Sequence, residues 1–192
     1  MTITIVHGGQ TGTDRGAHEA AIDNGWRLAG YMPRDGRDEL GPIPPDVAKF
    51  LVSHAKRSYA FRTEANVRAC NAVLIVVRDA NSPRETPGTT KTIDLAAKRK
   101  LHLMIVDPTT NAVQIARWIC SDLLVISTPR LPFDAEFEPI PSRLLVAGPR
   151  ESKWHGARVE TAALLGRVAL AMAEISPALK TQGKRDQVPE QR

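Results

Sequence analysis

Gly8-Gly9-Gln10-Thr11-Gly12-Thr13-Asp14-Arg15 is the densest run of chemistry-bearing residues in the sequence. Glycines let a backbone approach a ligand closely, and the N–H groups of a helix start favour an anion. Thr11 and Thr13 add hydroxyl donors, and Arg15 can pair with a phosphate or a carboxylate. Gly8, Gly9, Gln10, Thr11, Gly12, Asp14 and Arg15 are therefore candidate ligand contacts. The run matches neither the GxGxxG fingerprint nor a Walker loop, so neither nucleotide-binding motif follows from it. A plain strand-to-helix turn with Asp14 as capping residue is the competing explanation. It would need fewer glycines and neither Gln10 nor Arg15.

Three other segments carry related chemistry. Pro87-Gly88-Thr89-Thr90-Lys91-Thr92 places a glycine and hydroxyls at a helix start, which nominates Gly88, Thr89 and Thr90. A capped helix after a Pro-Gly turn has the same appearance. Gly148-Pro149-Arg150-Glu151-Ser152-Lys153 follows an apolar run and joins two cations to a serine. Gly148, Pro149, Arg150, Ser152 and Lys153 are candidates there, against the alternative of a solvated loop. In Arg62-Thr63-Glu64-Ala65-Asn66, Arg62 and Asn66 are one helical turn apart and share a face. Glu64 could hold a cation, orient a ribose hydroxyl or simply pair with Arg62.

Metal and thiol chemistry finds no support. His7, His18, His54, His102 and His155 have no metal-ligand spacing, and no Ser-His-Asp order can be read. Cys70 and Cys120 belong to no CxxC pair and read as buried packing thiols, which suits a reducing cytoplasm. No metal site and no catalytic residue are assigned; if the chain is an enzyme, Glu64 is the acid-base candidate.

These segments need a scaffold, and the apolar pattern supplies one. Ile3 to Val6 is a short β-rich run, and Ala17, Ala20 and Ala21 after the glycines recur at helical spacing, with Gly25 at the C-terminal cap. A second strand is expected over 26–30. Residues 31–58 form a long, turn-rich connection, a length that in compact domains is usually functional. A short helix carries Phe61, Ala65 and Ala69. Val73 to Val77 is unbrokenly apolar, as in a central parallel strand covered on both faces. A helix capped by Thr89, a strand over 101–106 and a helix over 110–121 follow. Leu123 to Ile126 could be a strand. Residues 128–142 hold four prolines and read as an irregular insertion. A strand over 144–146 and a helix over 155–174 close the fold. Residues 177–192 read as a polar, disordered tail.

Alternation of strand and helix predicts an α/β, Rossmann-like, doubly wound parallel sheet in one domain, 1–176. In such sheets ligands bind beyond the carboxyl ends of the strands, where the loops named above emerge. The 192 residues suffice for one core without staples, and 42% apolar with 24% charged is a globular mix. No apolar run approaches the roughly 18 residues of a membrane span, and the N-terminus reads as a strand rather than a signal peptide. Part of the net charge of +5 lies in the tail. A mildly basic body with three Trp, two Tyr and four Phe suits a small anion better than a nucleic-acid surface.

Taken together, the runs at 8–15, 62–67, 87–92 and 147–153, with Gly41-Pro42-Ile43-Pro44, resemble the molybdenum-cofactor carrier group in the circularly permuted YpsA-like branch of the SLOG superfamily. The likeness spans about residues 3 to 170, with the motifs in the expected order. It implies a Rossmann-like fold and a pocket for a phosphorylated, pterin- or nucleotide-like ligand. For carrier members that ligand is molybdenum cofactor, with molybdate or a phosphorylated nucleotide as other anions of the class. It also implies homodimers or homotetramers and molybdoenzymes as partners. Related SLOG phosphoribohydrolases carry PGGxGTxxE; here Pro87 to Asp94 lacks the second glycine and the glutamate. That departure favours a binding protein over an N-glycosidic hydrolase, the alternative function, with a nucleotide or ADP-ribose sensor as a third.

Overall fold

The computed structural model describes residues 3–55, 59–126 and 142–185. Five strands form a parallel sheet: β1 (Ile3–Val6), β2 (Arg27–Ala29), β7 (Ala72–Val76), β8 (His102–Val106) and β9 (Ser142–Ala147). Their spatial order is β2-β1-β9-β7-β8. The last strand thus fills the centre, with Leu144 registered between Ile5 and Ala72. From β1 the chain moves outward to β2, and from β7 it moves outward to β8 in the other direction. The carboxyl ends of β1, β9 and β7 therefore lie side by side at a topological switch point.

Alternate residues of these strands face opposite layers. Ile3, Ile5, Leu74, Val76, Leu144 and Val146 pack with α1 (Thr13–Asp23), α5 (Ala112–Ile126) and α6 (Ala157–Arg185). Val6, Val73, Ile75 and Leu145 pack with Val67 of α3 (Tyr59–Arg68) and with Ile93 and Ala96 of α4 (Pro87–Lys98). Burial on both faces explains why β7 reads as one apolar run. This is the Rossmann-like single α/β domain that the alternation of elements predicts.

The 31–58 connection contains small elements of its own. β3 (Tyr31–Met32) pairs in parallel with β6 (Val52–Ser53), and β4 (Arg37–Asp38) forms a hairpin with β5 (Gly41–Pro42). The short helix α2 (Pro45–Ala48) places Val47 beside Ile43 and Leu51 in a separate apolar cluster. This cluster anchors the connection over the glycine loop.

Several expectations need correction. Leu123 to Ile126 continue α5 as helix; a run that is apolar on every side has no period to separate strand from helix. α6 continues through Pro177 to Arg185, beyond the point at which the tail is expected to begin, while 186–192 lie outside the described residues. Of the expected insertion, 128–141 lie outside the described residues and Ser142 already belongs to β9. The cap of α4 is Thr86, whose Oγ1 accepts the Thr89 N–H at 3.1 Å, with Pro87 in the first helical turn. Among the described residues no helix is long and apolar enough to cross a membrane.

Candidate functional site

Asp14 organises the glycine loop. Its Oδ2 accepts the backbone N–H of Gly8 and of Gln10, each at 3.1 Å. It therefore caps the loop, whereas α1, with Gly12 at its N-cap, has no side-chain cap. Arg62 Nη1 lies 3.7 Å from the same oxygen. Burial pushes the Asp14 carboxyl up from its ordinary value; the Arg62 guanidinium and the two amides oppose the shift. His7 supports the loop from behind: its Nδ1 accepts the Gly9 N–H at 3.1 Å, and its Nε2 meets His18 Nδ1 at 3.3 Å. Burial is the largest influence on His7, followed by the charge of His18, and lowers it to about 3, so the ring is neutral.

The glycine loop is stitched to the loop after β9. The Thr13 N–H and hydroxyl both donate to the Pro149 carbonyl, at 3.2 and 3.1 Å. This contact is possible only because two positions lack a side chain. A Cβ on Gly12, whose φ is 71°, would lie 2.6 Å from the Pro149 carbonyl oxygen. One on Gly148 would lie 2.0 Å from the Val76 carbonyl oxygen. Gly12 and Gly148 thus serve loop-to-loop packing, the role that the sequence alone cannot separate from ligand approach.

The two loops and the start of α4 enclose a cavity of about 340 Å³ beyond the ends of β1, β9 and β7. Gln10, Thr11 and Asp14 line it from the glycine loop. Tyr59, Arg62 and Thr63 line it from α3, and Thr86, Pro87, Gly88 and Thr92 from the start of α4. Ala147, Gly148, Arg150, Ser152 and Lys153 contribute from the last-strand loop, and Glu39 from the β4–β5 hairpin. The Arg150 guanidinium stands over the Tyr59 ring, 4.7 Å from its centroid. Lys153 makes no ion pair among the described residues. Gln10 Oε1 and Arg62 Nε are buried with no hydrogen-bond partner among them.

Other sequence-predicted residues fall elsewhere. Gly8, Gly9, Gly12, Pro149, Thr89 and Thr90 do not line the cavity. Arg15 turns away from the cavity: its Nη2 pairs with Asp38 Oδ2 at 2.7 Å and its Nε donates to the Gly9 carbonyl at 3.1 Å. Asn66 is buried and grips β3, accepting the Tyr31 N–H at 2.7 Å and donating to the Tyr31 carbonyl at 3.1 Å. Glu64 pairs with Arg68 at 2.6 Å on the outer side of α3, in a separate depression with His54 and Phe61. Glu64 is thus displaced from the position that the acid-base candidacy required.

Sequence reasoning misses Glu39, Tyr59 and Thr86. Glu39 accepts the Ser152 N–H at 3.1 Å and the hydroxyls of Ser152 and Thr11. Burial alone would raise its carboxyl, but these donors, with Arg150 nearby, hold it below the ordinary value. The only available signal for Thr86 was its place before Pro87, the pattern of an N-cap followed by proline in the first turn. Among the described residues no three His, Cys, Asp or Glu side chains cluster as a metal centre.

Residues 5–169 match the circularly permutated YpsA SLOG family. The chain belongs to this family. A member of the solved structures similar to it is described as "putative molybdenum carrier protein" from Syntrophus aciditrophicus SB. The two are 25% identical, with a TM-score of 0.70 over 87% of this chain and 94% of the other. No curated protein matches the chain. The family match covers all four motif segments and every residue that lines the cavity, so the SLOG family region and the cavity occupy the same part of the chain.

Proposed function

We propose that this SLOG protein is a carrier that holds molybdenum cofactor, or a related phosphate-bearing pterin- or nucleotide-like anion, in the cavity between the glycine loop, α4 and the last-strand loop. One observation carries the reading: cations and an open helix start face a single enclosure. Arg150 and Lys153 line it, and the Gly88 N–H in the first turn of α4 makes no hydrogen bond among the described residues. A phosphate at that position would gain backbone donors, the helix dipole and charge-assisted contacts. The cavity volume is at the lower end for a small cofactor. The Tyr59 ring, with Arg150 over it, gives a flat group an apolar wall. In this reading the cargo is passed to molybdoenzymes, and homodimers or homotetramers are the working assemblies.

The hydrolase alternative would need a carboxylate near the ribose to activate water. Glu64, the residue nominated for it, is paired with Arg68 outside the cavity. Asp14 is committed to two backbone amides beside Arg62. We therefore place binding ahead of turnover. Native mass spectrometry of the purified protein, followed by calorimetry with molybdenum cofactor, tests the proposal. A bound pterin phosphate is expected. Absence of binding by molybdenum cofactor and by nucleotides alike rejects it, and steady release of free base from nucleoside monophosphates would replace carrier with enzyme.

A further inference from the structure

We propose that Glu39 is an internal competitor for the ligand's anionic group: its carboxylate occupies donors of the cavity and must leave them for a phosphate to bind there. This deepens the proposed function and rests on it. The glycine loop and the last-strand loop already converge on one anion, and that anion belongs to the protein. The Thr11 hydroxyl comes from one loop and the Ser152 N–H and hydroxyl from the other. Hydroxyls and a backbone N–H at a loop are the donor set that a phosphate also takes.

The way Glu39 is carried suits exchange. It occupies the two-residue tip of the β4–β5 hairpin, between Asp38 and Gly41. Its tip neighbour Leu40 is 85% exposed, so no apolar burial holds the tip in place. The base of the hairpin is held separately, by the Arg15–Asp38 ion pair and by Gln10 Nε2 donating to the Arg37 carbonyl at 3.3 Å. The tip can therefore withdraw its carboxylate without unlatching the strands beneath. Departure costs three hydrogen bonds, which an incoming phosphate replaces at the same donors. The apparent affinity is then the intrinsic affinity scaled by the fraction of molecules whose donors are vacant. For a carrier this has a direct use: return of Glu39 to Thr11 and Ser152 competes with the cargo and favours its release.

Inorganic phosphate is the probe. It is titrated by calorimetry into the full chain, Glu39→Gln and Glu39→Ala, and hydrogen exchange of the 37–43 segment is followed in the unsubstituted protein. Removal of the carboxylate is expected to tighten binding about tenfold or more. Phosphate is expected to speed exchange at the hairpin tip of the unsubstituted protein. Equal or weaker binding by both folded variants, or slower tip exchange on phosphate addition, overturns the competitor role while leaving the cavity as a binding site. If the variants do not fold, the exchange result decides alone. No phosphate binding by any of the three proteins removes the anion cradle, and the proposed function falls with it.

Discussion

The Arg62 guanidinium occupies the space that a side chain at Gly8 would need: a Cβ there would lie 1.8 Å from Arg62 Nη1. Gly8 is thus required by a buried cation that lies over the glycine loop and faces Asp14. Gly8→Ala is expected to cost about 1–3 kcal/mol through overpacking. Arg62→Ala, which strands the buried Asp14 carboxylate, should cost about 3 kcal/mol or more. The two losses should not add. Once Arg62 is gone, alanine at position 8 has room, so the double variant is expected to recover about 1–2 kcal/mol relative to the sum. Urea denaturation of the four proteins measures the coupling, and strict additivity would mean that the two residues do not share this space.

Acid sensitivity follows from the histidines behind the same loop. The folded His7 ring titrates near 3, and His18 is also lowered, by burial first, against the opposing charge of Asp46. Below about pH 6.5 the unfolded chain takes up protons that the native rings refuse. Their contribution to stability is therefore complete above that value and is lost as pH falls below it, for His7 down toward 3. For His7 the slope is about 1.4 kcal/mol per pH unit across the window. The lowered carboxyls Glu39 and Asp107 add losses that begin only near the ordinary carboxylate value of about 4, in the lower part of this window. His7→Asn keeps an acceptor for the Gly9 N–H and should flatten the stability profile between about pH 6.5 and pH 5. An unchanged slope would assign the acid sensitivity to other groups.

Arg15 and Asp38 show where the sequence stops being informative. The central strands, the glycine loop and the last-strand loop are legible because apolar continuity and glycine clustering are local properties. Which arginine faces the cavity is not local. Arg15 and Arg62 are equivalent candidates in the sequence, and the choice is made by Asp38, which the 31–58 connection brings to Arg15. Glu39 is hidden for the same reason, since its partners Thr11 and Ser152 lie 28 and 113 residues away. Glu64 has the opposite history. A carboxylate inside a suggestive motif finds a local partner, Arg68, four residues on.

This assignment makes Arg15 testable as a latch. Arg15→Ala leaves the buried Asp38 carboxylate without its cation and is expected to cost about 3–5 kcal/mol of stability. Phosphate binding by the folded protein should not weaken, because Arg15 does not reach the cavity. A loss of affinity with unchanged stability would return Arg15 to the ligand.

Arg150 and Lys153 should behave in the reverse manner. Arg150→Ala removes a guanidinium that lines the cavity and lies over Tyr59, and is expected to weaken binding of a phosphorylated ligand by about 1–3 kcal/mol. Lys153 is exposed, so water screens it and Lys153→Ala should cost about 1 kcal/mol or less. Calorimetry at low and high salt separates the two. The Lys153 contribution should vanish as salt rises, and a salt-independent loss would mean that the ligand buries this ammonium.

Gly88 gives the sharpest separation of binding from folding. It lies in the first turn of α4 and lines the cavity. A Cβ at this position would meet nothing closer than Thr86 Oγ1, at 4.0 Å. Alanine is therefore compatible with the fold. By restricting the unfolded chain it should raise stability by about 0.4–1 kcal/mol. The same methyl group would project beside the open N–H to which the proposed phosphate binds. One extra carbon in a closely fitted site is expected to weaken ligand binding about tenfold or more. Glycine at this position would then be kept for access to the ligand, unlike Gly12 and Gly148, whose side-chain hydrogens face neighbouring backbone. Thermal melting and calorimetry on Gly88→Ala and Gly88→Val measure both effects. Higher stability with weaker binding, graded by side-chain size, is the expected outcome. Undiminished binding by Gly88→Val would move the anion away from the start of α4.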